Sequence, residues 1–120
     1  MLEEDIFEKS YNSAADCPIS MIINVIGGKW KPVIIWLLLQ QPKRFGELHR
    51  SIPGVALKVL SRNLKELEAD GIINRRVYAQ VPPKVEYSLT QKGQSLKPMM
   101  ELMADWCREN LMHAPDGVII

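Results

Sequence analysis

The sequence predicts a mainly α-helical domain with one small β-hairpin, an α+β arrangement that ends in a long helix. Three observations carry this. Apolar residues recur at three- to four-residue spacing through most of residues 18–70, the helical period. The period falls to two over residues 73–78 and again over 84–89, the pattern of two short strands. Helical spacing then returns after Thr90 and persists to Leu111. At 120 residues the chain is long enough for one domain around one core.

Each element has its own signal. Residues 1–16 are polar with little periodicity, so an arm or a short helix is expected there. Pro18 suits a first helical turn. Ile19, Ile22, Ile23 and Ile26 follow at helical spacing until Gly27-Gly28 ends the helix. Pro32 opens a second helix in which Val33, Ile34, Trp36, Leu37 and Leu38 are apolar nearly all round, so it is buried. Gln40-Gln41-Pro42 breaks it. A short third helix spans residues 44–51 with Phe45 and Leu48 inward, and Ile52-Pro53-Gly54 makes a compact turn. A fourth helix runs over residues 56–70 with Leu57, Leu60, Leu64 and Leu67 in one stripe, and Gly71 suits the position just past its end.

Ile73, Arg75 and Val77 then alternate with Asn74, Arg76 and Tyr78, and Val85, Tyr87 and Leu89 with Lys84, Glu86 and Ser88. Pro82-Pro83 cannot donate to a strand ladder and belongs at the hairpin tip. Thr90 caps a last helix over residues 91–112. Gly93 stands at its third position, so the reciprocal capping box is missing. Two short helices joined by a tight turn and followed by a hairpin describe a winged helix-turn-helix, here with a C-terminal dimerisation helix. The expected division is an arm (1–16), the winged domain (17–90), the dimerisation helix continuous with it (91–112) and a tail (113–120).

The composition, 47% hydrophobic and 24% charged, is that of a globular chain and excludes global disorder. Two cysteines, Cys17 and Cys107, cannot build a disulfide scaffold. The most apolar run, residues 33–39, is far short of the ~20 residues a membrane span needs. Glu3, Glu4 and Asp5 stand where a secretion signal requires positive charge. A cytoplasmic protein of a reducing compartment, with no membrane partner, is expected.

The net charge of +1 hides a segregation. Residues 1–26 hold five acids and one base, residues 27–92 twelve bases and five acids, and residues 93–120 two bases and four acids. A basic middle between acidic ends makes double-stranded DNA the first partner to test. Chance clustering of exposed charge is the alternative. On a helical wheel with Leu60 at zero, Leu57, Leu64 and Leu67 fall within about 60° of it, and Lys65, Lys58 and Arg62 fall between about 140° and 200°. The bases share the face opposite the core stripe, with Ser61 at its edge, as in a helix that enters a major groove. Arg62 carries the forked donors that read guanine bidentately, and Lys58 and Lys65 suit phosphate equally well. Asn63 falls on the core shoulder and is not expected to read adenine. Arg75, Arg76 and Lys84 on the hairpin are placed for an adjacent backbone or minor groove, unless Arg75 or Arg76 pairs with Glu86 across the strands. Lys43 and Arg44, before the third helix, are further phosphate candidates, with backbone amides there as helpers.

Five segments together resemble one family: Cys17-Pro18, Gly27-Gly28-Lys29-Trp30, Arg44-Phe45-Gly46-Glu47-Leu48, Leu64 to Gly71, and Val81-Pro82-Pro83-Lys84-Val85-Glu86-Tyr87-Ser88-Leu89-Thr90. They are similar, in this order over about residues 17–110, to the HxlR-type transcriptional regulators, winged-helix proteins related to the MarR-like group. The resemblance implies a homodimeric DNA-binding regulator of a nearby operon, often tied to stress or small molecules. It implies that the fourth helix reads the major groove and that the hairpin is the wing. Ala56 departs from the pattern, which usually has Ser or Thr there, so no hydroxyl cap or hydroxyl–phosphate contact is expected at this position.

The last helix carries Leu96, Met99, Met100, Met103, Trp106 and Cys107 in one stripe, more than a lone winged domain would cover, so a two-fold interface is expected. Intramolecular core is the alternative for these residues. Cys17 stands at the N-terminal, positive end of a helix dipole, a place that suits a reactive thiol. The family resemblance adds that some members sense oxidants or electrophiles with an N-terminal cysteine, and the plain alternative is a small buried hydrophobe. Cys107 is expected to pack. A small-molecule effector between the last helix and the winged domain would meet Trp30, Trp36 or Trp106. An enzyme is not expected. His49 and His113 lack metal-ligand spacing, no phosphate loop or nucleophile motif occurs, and no cofactor or metal is implied. His49 reads as a surface or phosphate-facing group. The competing class is a winged-helix protein-interaction module without DNA binding.

Overall fold

A computed structural model describes residues 16–112. The tail expected at 113–120, His113, and all of the expected arm except Asp16 lie outside the described residues. The elements in order are α1 (Pro18–Ile26), α2 (Lys31–Gln40), β1 (Lys43–Arg44), α3 (Phe45–Ser51), α4 (Leu57–Ala69), β2 (Ile73–Tyr78), β3 (Lys84–Leu89), α5 (Gln91–Gln94) and α6 (Lys97–Asn110). The three strands form one antiparallel sheet in the order β1-β3-β2. This is the winged helix-turn-helix that the periodicities predict. No single helix among the described residues is long and apolar enough to cross a membrane.

The core is built by α2, α4 and the strand ends. Ile34, Ile35 and Leu38 of α2 meet Leu60, Leu64 and Leu67 of α4, with Leu48, Ile73, Tyr87 and Leu89 around them. Gly28, at φ +89°, turns the chain between α1 and α2, which bend by 74°. At the end of α4, Gly71 takes φ +76°. Its N–H donates to the Glu68 carbonyl at 3.0 Å, and the Ile72 N–H donates to the Leu67 carbonyl at 2.9 Å. This pair of bonds satisfies the last carbonyls and turns the chain into β2.

The structure departs from the sequence expectation at five points. The last helix is not continuous over 91–112. It breaks at Ser95 and Leu96 and restarts with Pro98 in its first turn, because proline has no N–H and its ring clashes with the carbonyl four residues back. The 14 residues of α6 span about 21 Å at 1.5 Å per residue. Lys43-Arg44 forms a third strand, so α3 begins at Phe45 rather than 44. Leu57 is 58% exposed rather than part of the core stripe, because it opens α4 ahead of the turn that packs. Val77 is exposed toward the wing tip. Met100 is buried in the chain's own core, with Leu96 and Met99 packed against that core.

The missing capping box has a local reason. Thr90 Oγ1 accepts the Gly93 N–H at 3.0 Å, as expected of an N-cap, and its hydroxyl donates to the Gly71 carbonyl at 2.6 Å. Gly93 is itself buried: a Cβ there would stand 2.3 Å from the Ile72 carbonyl oxygen and 3.0 Å from Leu89 Cδ2. No Glu can occupy the third position of this helix.

Candidate nucleic-acid interface

Helix α4 divides its two faces as the wheel requires. Leu60, Asn63, Leu64 and Leu67 are buried, while Lys58, Arg62 and Lys65 are exposed and Ser61 is half-buried. Asn63 Nδ2 donates to the Val59 carbonyl at 2.7 Å, so its amide is used within the helix. Ala56 is the N-cap residue and makes no side-chain bond, as expected. The back of α4 is tied to α2 by Lys31 Nζ, 3.5 Å from Glu66 Oε1. Lys31 is only 9% exposed, so its charge is a fastener for α4 rather than part of the basic surface.

The turn that sets α3 against α4 has Pro53 followed by Gly54 at φ +87°, and the Val55 N–H donates to the Ile52 carbonyl at 3.3 Å. His49 is half-buried and bonds across this turn. Its Nε2 donates to the Val55 carbonyl at 3.1 Å, which places the ring proton on Nε2. This corrects the expectation that His49 faces phosphate.

Lys58, Ser61, Arg62 and Lys65 line one shallow depression of about 310 Å³. Ser61 and Lys65 also line a cleft of about 300 Å³ between helix and sheet, together with Phe45, Glu68, Arg75 and Tyr87. The two hollows share the Ser61–Lys65 ridge. Among the described residues, Lys58, Arg62, Lys65 and Arg75 make no ion pair.

Strand register sorts the remaining cations by face. Lys43, Tyr87 and Arg75 lie opposite one another across the sheet, and Arg44, Glu86 and Arg76 form the next row. Directly opposed residues point to the same side. Arg75 therefore shares the Tyr87 side, toward α4, and Arg76 lies on the other. Neither arginine pairs with Glu86. Lys84 Nζ does, at 3.4 Å. At the start of α3, the Arg44 N–H donates to Glu47 Oε1 at 2.8 Å. That bond, against desolvation and with smaller help from Lys43, Arg44 and Arg50, holds the Glu47 carboxyl below its ordinary value. The Arg44 amide is thus occupied and does not serve as an anion donor. Arg44 is exposed and Lys43 half-buried.

Among the described residues, two helices carry several exposed apolar side chains. On α1, Ile19, Met21 and Ile23 are exposed. On α6, Leu102, Met103 and Trp106 are exposed. The stripe read from the sequence is therefore split: Met100 faces its own core, while Met103 and Trp106 do not. Cys17 is the N-cap residue of α1, and Cys17 and Cys107 are both free and half-buried. A cleft of about 220 Å³ between α2 and α6 is lined by Trp36, Leu39, Gln40, Lys97 and Glu101. Trp36 is the one tryptophan of the three that lines it.

Sequence reasoning missed the Lys31–Glu66 fastener, the His49 bond, β1, and the grouping of Tyr78, Lys84 and Glu86. These depend on contacts between segments distant in the chain.

Residues 25–115 match the sequence profile of the HxlR-like helix-turn-helix family. An uncharacterized HTH-type transcriptional regulator of Halalkalibacterium halodurans, BH0655, is 53% identical over 96 residues, 79% of this chain and 85% of the relative. The solved structure of the redox regulator HypR in its oxidized form superposes with a TM-score of 0.75 at 47% identity, over 78% of this chain and 97% of that one. A MarR-family transcriptional regulator from Porphyromonas gingivalis W83 superposes with a TM-score of 0.77 at 39% identity, over 82% and 97% of the two chains.

Proposed function

The chain belongs to the HxlR-like helix-turn-helix family of transcriptional regulators, and from that premise we propose that it acts as a homodimer that binds duplex DNA sequence-specifically. The observation that carries the reading is the pair of joined hollows along α4, where cations from the helix and from β2 converge without ion-pair partners. In this reading α4 enters the major groove. Arg62 reads a guanine edge, and Lys58 and Ser61 flank it. Lys65 and Arg75, brought together from two elements, hold a backbone phosphate at the helix–wing cleft. Lys43 and Arg44 add phosphate contacts, and residues 72–89 form the wing, on which Arg76 and Lys84 lie. Selection of bound sequences from a random DNA pool tests this. A recurring half-site is expected, and Arg62→Ala should lose about 1–3 kcal/mol on that site and relax the preference at one base pair. A pool that returns no preferred sequence overturns it and leaves the protein-interaction module.

The exposed apolar side chains of α1 and α6 support the dimer. Met103 and Trp106 of α6, with Leu102, and Ile19 and Ile23 of α1 supply the apolar centre of a two-fold interface. Leu96, Met99 and Cys107 lie at its inner edge, and Met100 supports it from the core. Two copies would set their α4 helices about one DNA turn apart, near 34–36 Å. Sedimentation at micromolar concentration should give a dimer, and Trp106→Glu a monomer. A monomeric unsubstituted protein would rule the interface out.

Thiol responsiveness is the regulatory part of the reading. It is supported by the likeness to a protein described as a redox regulator and by the free Cys17 at the start of α1, beside the proposed interface. Diamide or peroxide should weaken DNA binding, dithiothreitol should restore it, and Cys17→Ser should abolish the response. Binding that oxidation leaves unchanged would end this idea. An effector other than an oxidant would find the α2–α6 cleft beside Trp36.

A further inference from the structure

The wing carries a side-chain cluster on the face turned away from Tyr87. Arg44, Glu86 and Arg76 form one row of it, and Tyr78 lies directly opposite Lys84 in a second row on the same side. Three cations thus surround one carboxylate. Glu86 nevertheless binds only one of them. Its Oε2 lies 3.4 Å from Lys84 Nζ, and its Oε1 accepts the Tyr78 hydroxyl at 3.2 Å. Lys84 Nζ is also 4.7 Å from the Tyr78 ring centroid. The side chains of Lys84 and Glu86 are each 25% exposed. Arg76 is exposed, has no carboxylate partner among the described residues, and holds its guanidinium 4.8 Å over the same ring.

We propose that Glu86 decides which wing cation meets DNA: it retains Lys84 within the protein and leaves Arg76, supported on the Tyr78 ring, as the charge the wing presents. This rests on the DNA-binding reading above. The physical argument has two parts. A lysine paired with a carboxylate is a locally neutral unit, and counterion release on DNA requires cations that neutralise phosphates. A guanidinium stacked on a ring uses its face and keeps its N–H edge free for hydrogen bonds. The ring's own position is held by the Tyr78 hydroxyl on Glu86, so Tyr78 and Glu86 are positioning residues and Arg76 is the contacting one.

The test is the salt dependence of binding to mixed-sequence duplex DNA of about three helical turns, measured between about 50 and 200 mM salt. Lys84→Ala combined with Glu86→Gln removes the whole neutral pair and should change affinity by less than about twofold and leave the log–log slope unchanged. Arg76→Ala should weaken binding about tenfold and make the slope shallower by about one per protomer. Glu86→Gln keeps an acceptor for Tyr78 but removes the charge that holds Lys84. It should tighten binding and steepen the slope by about one per protomer, and adding Lys84→Ala should reverse that gain. Thermal unfolding of each variant confirms that the fold is intact. A loss in that double variant equal to that of Arg76→Ala, or a Glu86→Gln slope identical to the unsubstituted protein's, overturns the proposal. Absence of DNA binding by the unsubstituted protein overturns the DNA reading itself, and this inference falls with it.

Discussion

Raising the salt from about 50 to 200 mM is expected to lower the affinity of this protein for duplex DNA by about 10³–10⁵. That is the fall for a protein neutralising about six to ten phosphates. A net charge of +1 gives no hint of it. The field that matters is local. Of the twelve bases in residues 27–92, Lys31 is buried against Glu66 and Lys84 is paired with Glu86. Lys43, Arg44, Lys58, Arg62, Lys65, Arg75 and Arg76 make no ion pair among the described residues. Two copies in a dimer supply enough cations for that number of contacts. Fluorescence anisotropy of labelled DNA over a salt series measures the slope. A protein-interaction module would show weak binding with a shallow slope, and that result would remove the major-groove assignment of α4.

The largest stability effect is expected at Gly93. Its absent side chain lets α5 lie flush against the end of the α4–β2 connection, where a Cβ would stand 2.3 Å from the Ile72 carbonyl oxygen. The obstacle is backbone rather than the tip of a flexible side chain. That carbonyl also accepts the Thr90 N–H at 3.0 Å, so it is not free to turn away. Gly93→Ala should therefore cost about 3 kcal/mol, the upper part of the usual range for overpacking. Gly54→Ala is the control. Nothing lies within 4 Å of a Cβ there, and φ is +87°. Backbone strain alone should cost about 1 kcal/mol. Urea denaturation of the three proteins gives both values. Equal losses for the two variants would show that the Gly93 site relaxes and that the close approach is not structural.

Much of the fold and part of the site are legible in the chain because their signals are local. The wheel places Arg62, Lys58 and Lys65 opposite Leu60 and Leu64, since helical geometry fixes the angle between residues a few positions apart. The same geometry takes Asn63 out of the reading face, and its amide does bond back into the helix. Gly71 ends α4 and Thr90 caps the next helix, because termini depend on a few neighbouring backbone groups. The resemblance to a family adds the expectation of a dimer and of the roles of helix and wing.

Contacts between distant segments leave no such imprint. Two residues are too few to show a period, so β1 is invisible until Lys43 and Arg44 pair with Tyr87 and Glu86. Alternation predicts that Arg75 and Arg76 point to opposite sides, but which side faces α4 is settled by the packing of Tyr87. The spacing of Met99, Met100 and Met103 marks one apolar stripe, and only the placement of α6 on the core buries Met100 and leaves Met103 open. The sequence by itself determined the order of the first four helices and the hairpin, the buried and basic faces of α4, and the segregation of charge. The tertiary structure decided which charges are free. Ion pairing depends on register and on distances of a few ångströms between strands and helices, and Glu86 chose Lys84 over the two arginines opposite it for reasons that no count of residues contains.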